Sequence, residues 1–236
     1  MKALVITAAD QKFFSLVTGM IASVRKNSSP GALDIAVLDI GLLDWQRGEL
    51  KDKVEHILEP PWAIDFPGQA EAENALRALV ARPFLRNFFP GYDLYMWLDA
   101  DAWVQDQRGI TAYLEAAKSM KMAITPEISR HYASLYKNPA DVRRLEGSIY
   151  AMGWGEATAR QLIHCPLANA GVFALHRDST AWDIWAETMR TLLQRTNNFY
   201  VEQTALNGAI LTGRIPIIPL PAHCNWVLFK SFGSST

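Results

Sequence analysis

Two acids spaced one residue apart, Asp99 and Asp101, close the unbroken apolar run Leu94-Tyr95-Met96-Trp97-Leu98. Alternate residues of an extended segment point to the same side, so the two carboxylates can aim at a common point. Two hard, anionic oxygen ligands suit Mg²⁺ or Mn²⁺, above all when a substrate phosphate completes the coordination shell. An acid after a strand can also be no more than a helix cap or a turn residue. The pair alone does not decide between the two, so the elements that carry it must.

The run is too short for a typical helix and holds no polar residue, which fits a central strand buried on both faces of an α/β sheet, with Gly91 marking its start. In open α/β sheets ligands gather at the carboxyl edge of the strands, where Asp99 emerges. Ala3 to Thr7 reads as a buried first strand. Asp10 is the expected N-cap of a helix in which Phe13, Phe14, Val17, Met20, Ile21 and Val24 recur at helical spacing. A second strand, Leu33 to Leu38, ends at Asp39. A right-handed βαβ unit then brings Thr7 to Asp10 and Asp39 to the edge that holds Asp99. Neither GxGxxG nor GxxxxGK[ST] follows either strand, which argues against a nicotinamide dehydrogenase or a P-loop enzyme. A nucleotide bound here needs another partner for its phosphates, and a metal held by acids is the natural one.

Val54 to Leu58 is a candidate third strand. Gly68 to Phe89 is rich in helix formers but must kink or restart at Pro83. Of Arg77, Arg82 and Arg86, the expectation is solvated helix surface, with Arg82 the exception: it sits at the break, near the Asp-x-Asp edge, where a guanidinium can grip a phosphate or carboxylate. Ile110 to Met120 reads as a helix and Met122 to Thr125 as a strand that delivers Pro126 and Glu127 to the same edge. Ser129 to Met152 is mixed, with Arg130, His131, Tyr132, Tyr136, Arg143, Arg144 and Tyr150, and is either a lid or acceptor surface or an ordinary pair of surface helices. Asn169-Ala170-Gly171 leads into the strand Val172 to Leu175. Gly171 lets the backbone pass close to a ligand, and Asn169 offers a donor and an acceptor. A helix capped by Ser179 buries Trp182, Trp185, Ala186, Met189 and Leu193. Glu202-Gln203 precedes a short helix, Arg214 to Pro221 is strand-like, and His223-Cys224-Asn225-Trp226 follows.

With 236 residues, half of them hydrophobic, the chain can bury a sizeable core and is expected to form one larger domain. The net charge of −1 supplies no overall field for nucleic acid or an anionic membrane. Cys165 and Cys224 form neither a metal-ligand pattern nor a disulfide framework, and a reduced, cytoplasmic setting is expected, with attachment to a membrane surface left open. No signal peptide and no membrane-spanning segment are expected.

Taken together these residues resemble glycosyltransferase family 8 and its GT-A-fold relatives, among them bacterial lipopolysaccharide galactosyl- and glucosyltransferases, galactinol synthases and glycogenin. The matching elements, in order, are Thr7-Ala8-Ala9-Asp10, Arg82, Leu98-Asp99-Ala100-Asp101, Asn169-Ala170-Gly171-Val172, and Glu202-Gln203 with Leu206-Asn207. The resemblance implies a single GT-A domain over residues 1–236, with a nucleotide-binding half (1–105) and a sugar and acceptor half (106–236). It implies transfer from a UDP-linked sugar to a glycan, lipid-linked or small-molecule acceptor, with Mn²⁺ or Mg²⁺ and with retention. Thr7, Ala8 and Asp10 would line the base pocket, and Asp99 and Asp101, flanking Ala100, would hold the metal. Arg82, Asn169, Gly171 and Gln203 would meet the donor sugar, Glu127 would face it, and Glu202 is the more basic candidate at the reacting centre. Because Gln203 is an amide and a poor nucleophile, front-face attack is favoured over a covalent sugar intermediate.

One departure stands out. The family's third metal ligand is a histidine near the C-terminus, followed by glycine and a phosphate-contacting lysine, and no His-x-x-Gly-x-x-Lys occurs here. His223 is a candidate substitute, with Lys230 a candidate for the phosphates. Two other functions fit the residues: a nucleotide-sugar-binding or regulatory module without turnover, and a phosphohydrolase with Asp99 as nucleophile and Asp101 as acid. The latter is disfavoured because Ala102-Trp103 follow the acids.

Overall fold

A computed structural model describes residues 1–129, 132 and 139–227. The positions Arg130, His131, Tyr136 and Lys230 lie outside them. Seven strands form one sheet in the order β3-β2-β1-β4-β6-β5-β7. They are β1 (Ala3–Ala9), β2 (Asp34–Asp39), β3 (His56–Leu58), β4 (Leu94–Leu98), β5 (Met122–Pro126), β6 (Ala168–His176) and β7 (Ile217–Pro219). Every neighbouring pair is parallel except the two made by β6, which runs antiparallel to both β4 and β5. The architecture is the mixed, mostly parallel α/β sheet expected from the sequence.

The consequence for function lies in that reversal. β6 enters the sheet where β4 leaves it, so Ala168 to Gly171 meet Asp99 at the carboxyl edge, and the Asp99 N–H donates to the Gly171 carbonyl at 2.9 Å. Between the β5 partners Ile124 and Thr125, the pairing on β6 jumps from Phe173 to Asn169. This bulge frees Ala170, Gly171 and Val172 from β5 and re-aims the start of β6 toward the edge.

All five residues of β4 are buried, and their side chains alternate between two cores. Tyr95 and Trp97 pack on one face with Leu4, Ile6, Phe173, Trp182 and Trp185. Leu94, Met96 and Leu98 pack on the other with Val5, Val17, Met20, Ile110 and Tyr113. A strand covered on both faces has no polar side for water, which explains the unbroken apolar run. Helices α1 (Phe14–Lys26), α2 (Asp44–Lys51) and α5 (Gln107–Ala117) cover the second face; α3 (Asn74–Ala81), α4 (Leu85–Phe88), α8 (Ala181–Leu193) and α9 (Val201–Leu211) cover the first. No helix among the described residues is long and apolar enough to cross a membrane.

Several local expectations shift for identifiable reasons. The third strand shortens to His56–Leu58, since the Glu55 carboxylate turns to Arg25 and to the Ile35 N–H. The stretch from Gly68 opens with a 3₁₀ turn, Gln69–Glu71, becomes α-helical only at Asn74 and is broken by a second 3₁₀ turn, Arg82–Phe84, at Pro83. Asp10 does not cap α1; its carboxylate accepts from the N–H groups of Lys12 and Phe13 in the turn before the helix. α5 starts three residues early because Asp106 caps it. Ser179 lies one residue before the cap position of α8 yet still accepts from the Ala181 N–H at 3.3 Å. Glu202 and Gln203 lie within the first turn of α9, not before it. Arg214 to Pro221 yields only the three-residue β7, and much of Ser129 to Met152 is the helix α6 (Pro139–Trp154), followed by α7 (Glu156–Leu162).

α6 crosses α9 at Gly208, where a Cβ would lie 2.1 Å from Trp154 Cη2. Only a residue without a side chain permits this approach. Gly208→Ala is expected to lose roughly 1–3 kcal/mol of stability through overpacking, measured by urea unfolding. An unchanged midpoint would show that Trp154 moves aside freely.

Candidate functional site

Arg82 sits in the turn that Pro83 forces, and the turn points it inward. Its side chain is only 6% exposed. The Nη2 group donates to Asp99 Oδ1 at 2.6 Å, and Nη1 donates to Glu202 Oε2 at 3.1 Å and to the Ala170 carbonyl at 3.4 Å. The guanidinium lies 4.5 Å from the Trp97 ring centroid, a cation–π contact. The indole N–H of Trp97 also donates to Asp99 Oδ1, at 2.7 Å. Arg77 and Arg86, by contrast, pair outside this cluster, Arg77 with Glu59 and Arg86 with Asp183, and both side chains are half-buried rather than solvated as expected.

The clamp orders the first acid. Asp99 Oδ1 is committed to Arg82 and Trp97, and Oδ2 faces Gly171, where a Cβ would come within 2.9 Å of it. The same Cβ would lie 2.9 Å from Asn169 Oδ1, so glycine here is a requirement of close approach. Although 40% of the Asp99 side chain is open to the cleft, burial of its surroundings pushes its carboxyl above the ordinary value, with Arg82 and Trp97 pulling it down and Asp101 pushing it up. Asp101 is exposed, and its carboxylate takes no hydrogen bond among the described residues.

Asn169 extends the network. Its Nδ2 donates to Glu127 Oε1 at 2.8 Å, and its Oδ1 accepts from the Gly171 N–H at 2.9 Å and from Asn225 Nδ2 at 3.0 Å. Asn207 secures the start of β6 from α9, accepting from the Ala168 N–H at 2.6 Å and donating to the Ala168 carbonyl at 3.0 Å. Glu202, Arg82, Asp99, Gly171, Asn169 and Glu127 therefore form one continuous cluster at the carboxyl edge, drawn from β4, β6, α9 and the ends of α3 and β5.

Three sequence expectations need correction. Thr7 is fully buried with its hydroxyl unpartnered, on the face away from Arg82, so its side chain cannot line a donor pocket. Ala8, half-buried on the Arg82 face, is better placed. Glu202 is 2% exposed, behind Arg82; burial pushes its carboxyl up to about 7, against the pull of Arg82 and with a push from Asp99. It holds Arg82 rather than reaching a reacting centre. His223 lies exposed in a 3₁₀ turn, Ala222–Asn225, and no three His, Cys, Asp or Glu side chains among the described residues come together as a metal cage. It does not complete a set with Asp99 and Asp101.

Three partners went unrecognised in the sequence. Trp97 reads as plain core. Asn225 carries no signal of its own within His223-Cys224-Asn225-Trp226. Glu146 is an acid on the buried stripe of α6 with Ile149 and Tyr150, 1% exposed, and that spacing was its one signal. Burial raises it to about 7, Arg143 and the Gln203 amide lowering it and Glu127 raising it. Beside the edge, a cleft of about 1050 Å³ runs from Asp99 and Asp101 past Asn169, Tyr113 and the turn at His223 to Trp226.

No protein-family model matches the chain, and no curated protein matches it in sequence. Solved structures do match in fold. The bifunctional glycosyltransferase WbbM, in its apo form, aligns with a TM-score of 0.63 at 15% identity, over 94% of this chain and 39% of that one. The galactosyltransferase LgtC, in complex with donor and acceptor sugar analogues, aligns at 0.55 and 16%, over 87% of this chain and 69% of that one. The glycosyltransferase GlyE of Streptococcus pneumoniae TIGR4 aligns at 0.57 and 15%, over 95% and 46%. The chain thus spans less than half the length of WbbM and GlyE. At these identities the likeness is one of fold, and the fold is the GT-A arrangement expected from the sequence.

Two outcomes follow from the buried charges. Arg82→Met leaves Glu202 buried without its cation and is expected to cost roughly 3–5 kcal/mol, measured by chemical unfolding, with much of the loss recovered when Glu202→Gln is added. Because Glu202 and Glu146 are raised to about 7, the folded chain holds more protons than the unfolded one between about pH 4.5 and 7, so stability falls as pH rises through that window. Calorimetric melting temperatures should decline across it; a steady rise would contradict the assignment.

Proposed function

We propose that the chain is a metal-dependent glycosyltransferase that moves a sugar from a nucleotide sugar, UDP-linked, to a glycan, lipid-linked or small-molecule acceptor, with retention. The observation that carries this reading is the convergence of Arg82, Asp99, Asn169 and Glu127 in one hydrogen-bonded cluster at the carboxyl edge of a glycosyltransferase-type sheet. LgtC, similar in fold, is a galactosyltransferase in complex with donor and acceptor sugar analogues, which supports a sugar-transfer role here. The proposed division of labour assigns the nucleotide to residues 1–105 and the sugar and acceptor to 106–236. Cytoplasmic action, at or near a membrane surface, accords with this reading.

The residues fit a divalent cation. Asp101 offers a free carboxylate and Asp99 an oxygen not committed to Arg82. Two hard oxygens, with diphosphate and water supplying the rest, are what Mn²⁺ or Mg²⁺ accepts. When bound, the ion would neutralise charge on the diphosphate leaving group. Arg82 holds Asp99 in place, Asn169 is held by Glu127, and Gln203 offers an amide to the sugar.

The burial of Glu202 favours front-face attack. The family-position residue left for the reacting centre is then Gln203, whose amide is a poor nucleophile. In that course the acceptor hydroxyl oxygen bonds to the anomeric carbon on the face from which the diphosphate departs. The carbon–oxygen bond electrons stay with UDP, and the hydroxyl proton passes to the departing phosphate oxygen.

Calorimetric titration of a panel of UDP-sugars, with and without Mn²⁺, followed by assay of released UDP, tests the reading. Mn²⁺-dependent binding of one donor with slow hydrolysis is expected; binding without any transfer would mark a binding module instead. Asp101→Ala should weaken Mn²⁺-dependent donor binding by at least about tenfold, or 1.4 kcal/mol. Exposed substitutions of this kind usually change stability by less than about 0.5 kcal/mol, so its melting temperature should hold. Unfolding of this variant without any metal effect would make the pair structural.

A further inference from the structure

Asn169 and Asn225 both line the cleft that holds Asp99 and Asp101, and their side-chain amides are joined. Asn225 Nδ2 donates to Asn169 Oδ1 at 3.0 Å. The Gly171 N–H donates to the same oxygen at 2.9 Å, while Asn169 Nδ2 donates to Glu127 Oε1 at 2.8 Å. The segment from Leu220 to Asn225 is pinned at both ends: the Leu220 N–H donates to the Ile124 carbonyl at 2.9 Å, and the Tyr132 hydroxyl donates to the Asn225 carbonyl at 2.6 Å. The turn at Ala222–Asn225 is thereby fastened to β5 and, through one side chain, to the opening of β6.

We propose that Asn225 is a positioning residue: it fills the second acceptor site of Asn169 Oδ1, so that Asn169 meets the donor sugar only as a hydrogen-bond donor, through one amide N–H aimed at a hydroxyl oxygen. This rests on the glycosyltransferase reading above. A backbone N–H can only donate, so the Asn169 atom that meets Gly171 is its oxygen. The nitrogen then faces Glu127, whose ionised carboxylate can only accept, and the Asn225 atom on the Asn169 oxygen is a nitrogen. Turning Asn169 over would set its nitrogen against the Gly171 N–H and its oxygen against Glu127, so the amide is locked. Of its two acceptor sites and two N–H groups, both acceptor sites are taken and one N–H is spent on Glu127. The other N–H has no partner among the described residues. A Cβ at Gly171 would meet Asn169 Oδ1 and Asp99 Oδ2 at 2.9 Å each, so the locked amide and the outer oxygen of the first acid flank one point. A neutral N–H at that place suits a hydroxyl, while the charge of the diphosphate is met by a metal on the acids.

Asn225→Asp has the same shape, keeps the backbone bond to Tyr132 and replaces only the donating nitrogen by an acceptor. Asn225→Ala removes the side chain without adding charge; since backbone bonds hold the turn, both should fold. The test joins calorimetric affinity for UDP, UDP-glucose and UDP-galactose, with Mn²⁺ present, to the Asn169 side-chain NH₂ resonances of ¹⁵N-labelled protein, identified by their loss in Asn169→Asp. UDP carries the same diphosphate as the two donors, so the ratio of UDP-sugar to UDP affinity cancels a general effect of charge. The Asn169 resonances should shift in both variants. In Asn225→Asp that ratio should fall by about three- to tenfold, the size of one neutral hydrogen bond. Asn225→Ala, in which Gly171 and Glu127 still hold the amide, should lose less. Asn169 resonances that stay in place in both variants would overturn the proposal. Equal weakening of UDP and UDP-sugar in Asn225→Asp, or no weakening of either, would overturn it as well. If the resonances shift but the wild type binds neither UDP-sugar, the link from Asn225 to Asn169 stands and the glycosyltransferase reading fails.

Discussion

The Arg82 guanidinium lies between two carboxylates, Asp99 at the end of the central strand and Glu202 on α9, over the Trp97 ring. A cation this enclosed is tolerable only when its hydrogen bonds and charge are met on the spot, and a buried acid such as Glu202 is tolerable for the same reason. Each therefore fixes the other, and the pair ties together three elements that are far apart in the chain: the break after α3, the end of β4 and the first turn of α9. Asp99 inherits its orientation from this arrangement. Its outer oxygen is left beside Gly171, next to the exposed Asp101.

The second constraint is topological. A wholly parallel sheet would send the start of the strand beside β4 to the opposite edge. Because β6 runs the other way, its first residues lie where β4 ends, and the bulge opposite Ile124 and Thr125 lets Asn169 and Gly171 turn toward Asp99. Asn207 then fastens that start to α9. Strand reversal, bulge and helix contact together place amides and acids around one point without any of them being adjacent in sequence.

This explains which parts of the site the sequence made legible. The apolar run ahead of Asp99, the proline beside Arg82, and the Asn-Ala-Gly opening of β6 each carry a local signature, and all of them meet at one edge. The misreadings concern burial. Thr7 and Glu202 are polar residues whose exposure depends on what packs over them, and so is Glu146, which carries no reading of its own in the sequence; that is a property of the helices over the sheet and of α6 packed on α7, α8 and α9, not of the residues' own neighbours in sequence. Trp97 was hidden for the opposite reason: its ring is core, and only its N–H, one bond from the edge, serves Asp99. Element ends slipped where a side chain replaced a backbone partner, as at Asp10 and Asp106.

The central claim is that the ordered Asp99 and the open Asp101 form the metal end of a sugar-nucleotide site. Anomalous diffraction from crystals of the chain soaked with Mn²⁺ and UDP tests it most directly. The account expects a manganese peak coordinated by Asp99 and Asp101, with the UDP diphosphate on the same ion and Arg82 still paired to Asp99. A peak elsewhere, or UDP bound with no manganese at these two residues, would contradict it.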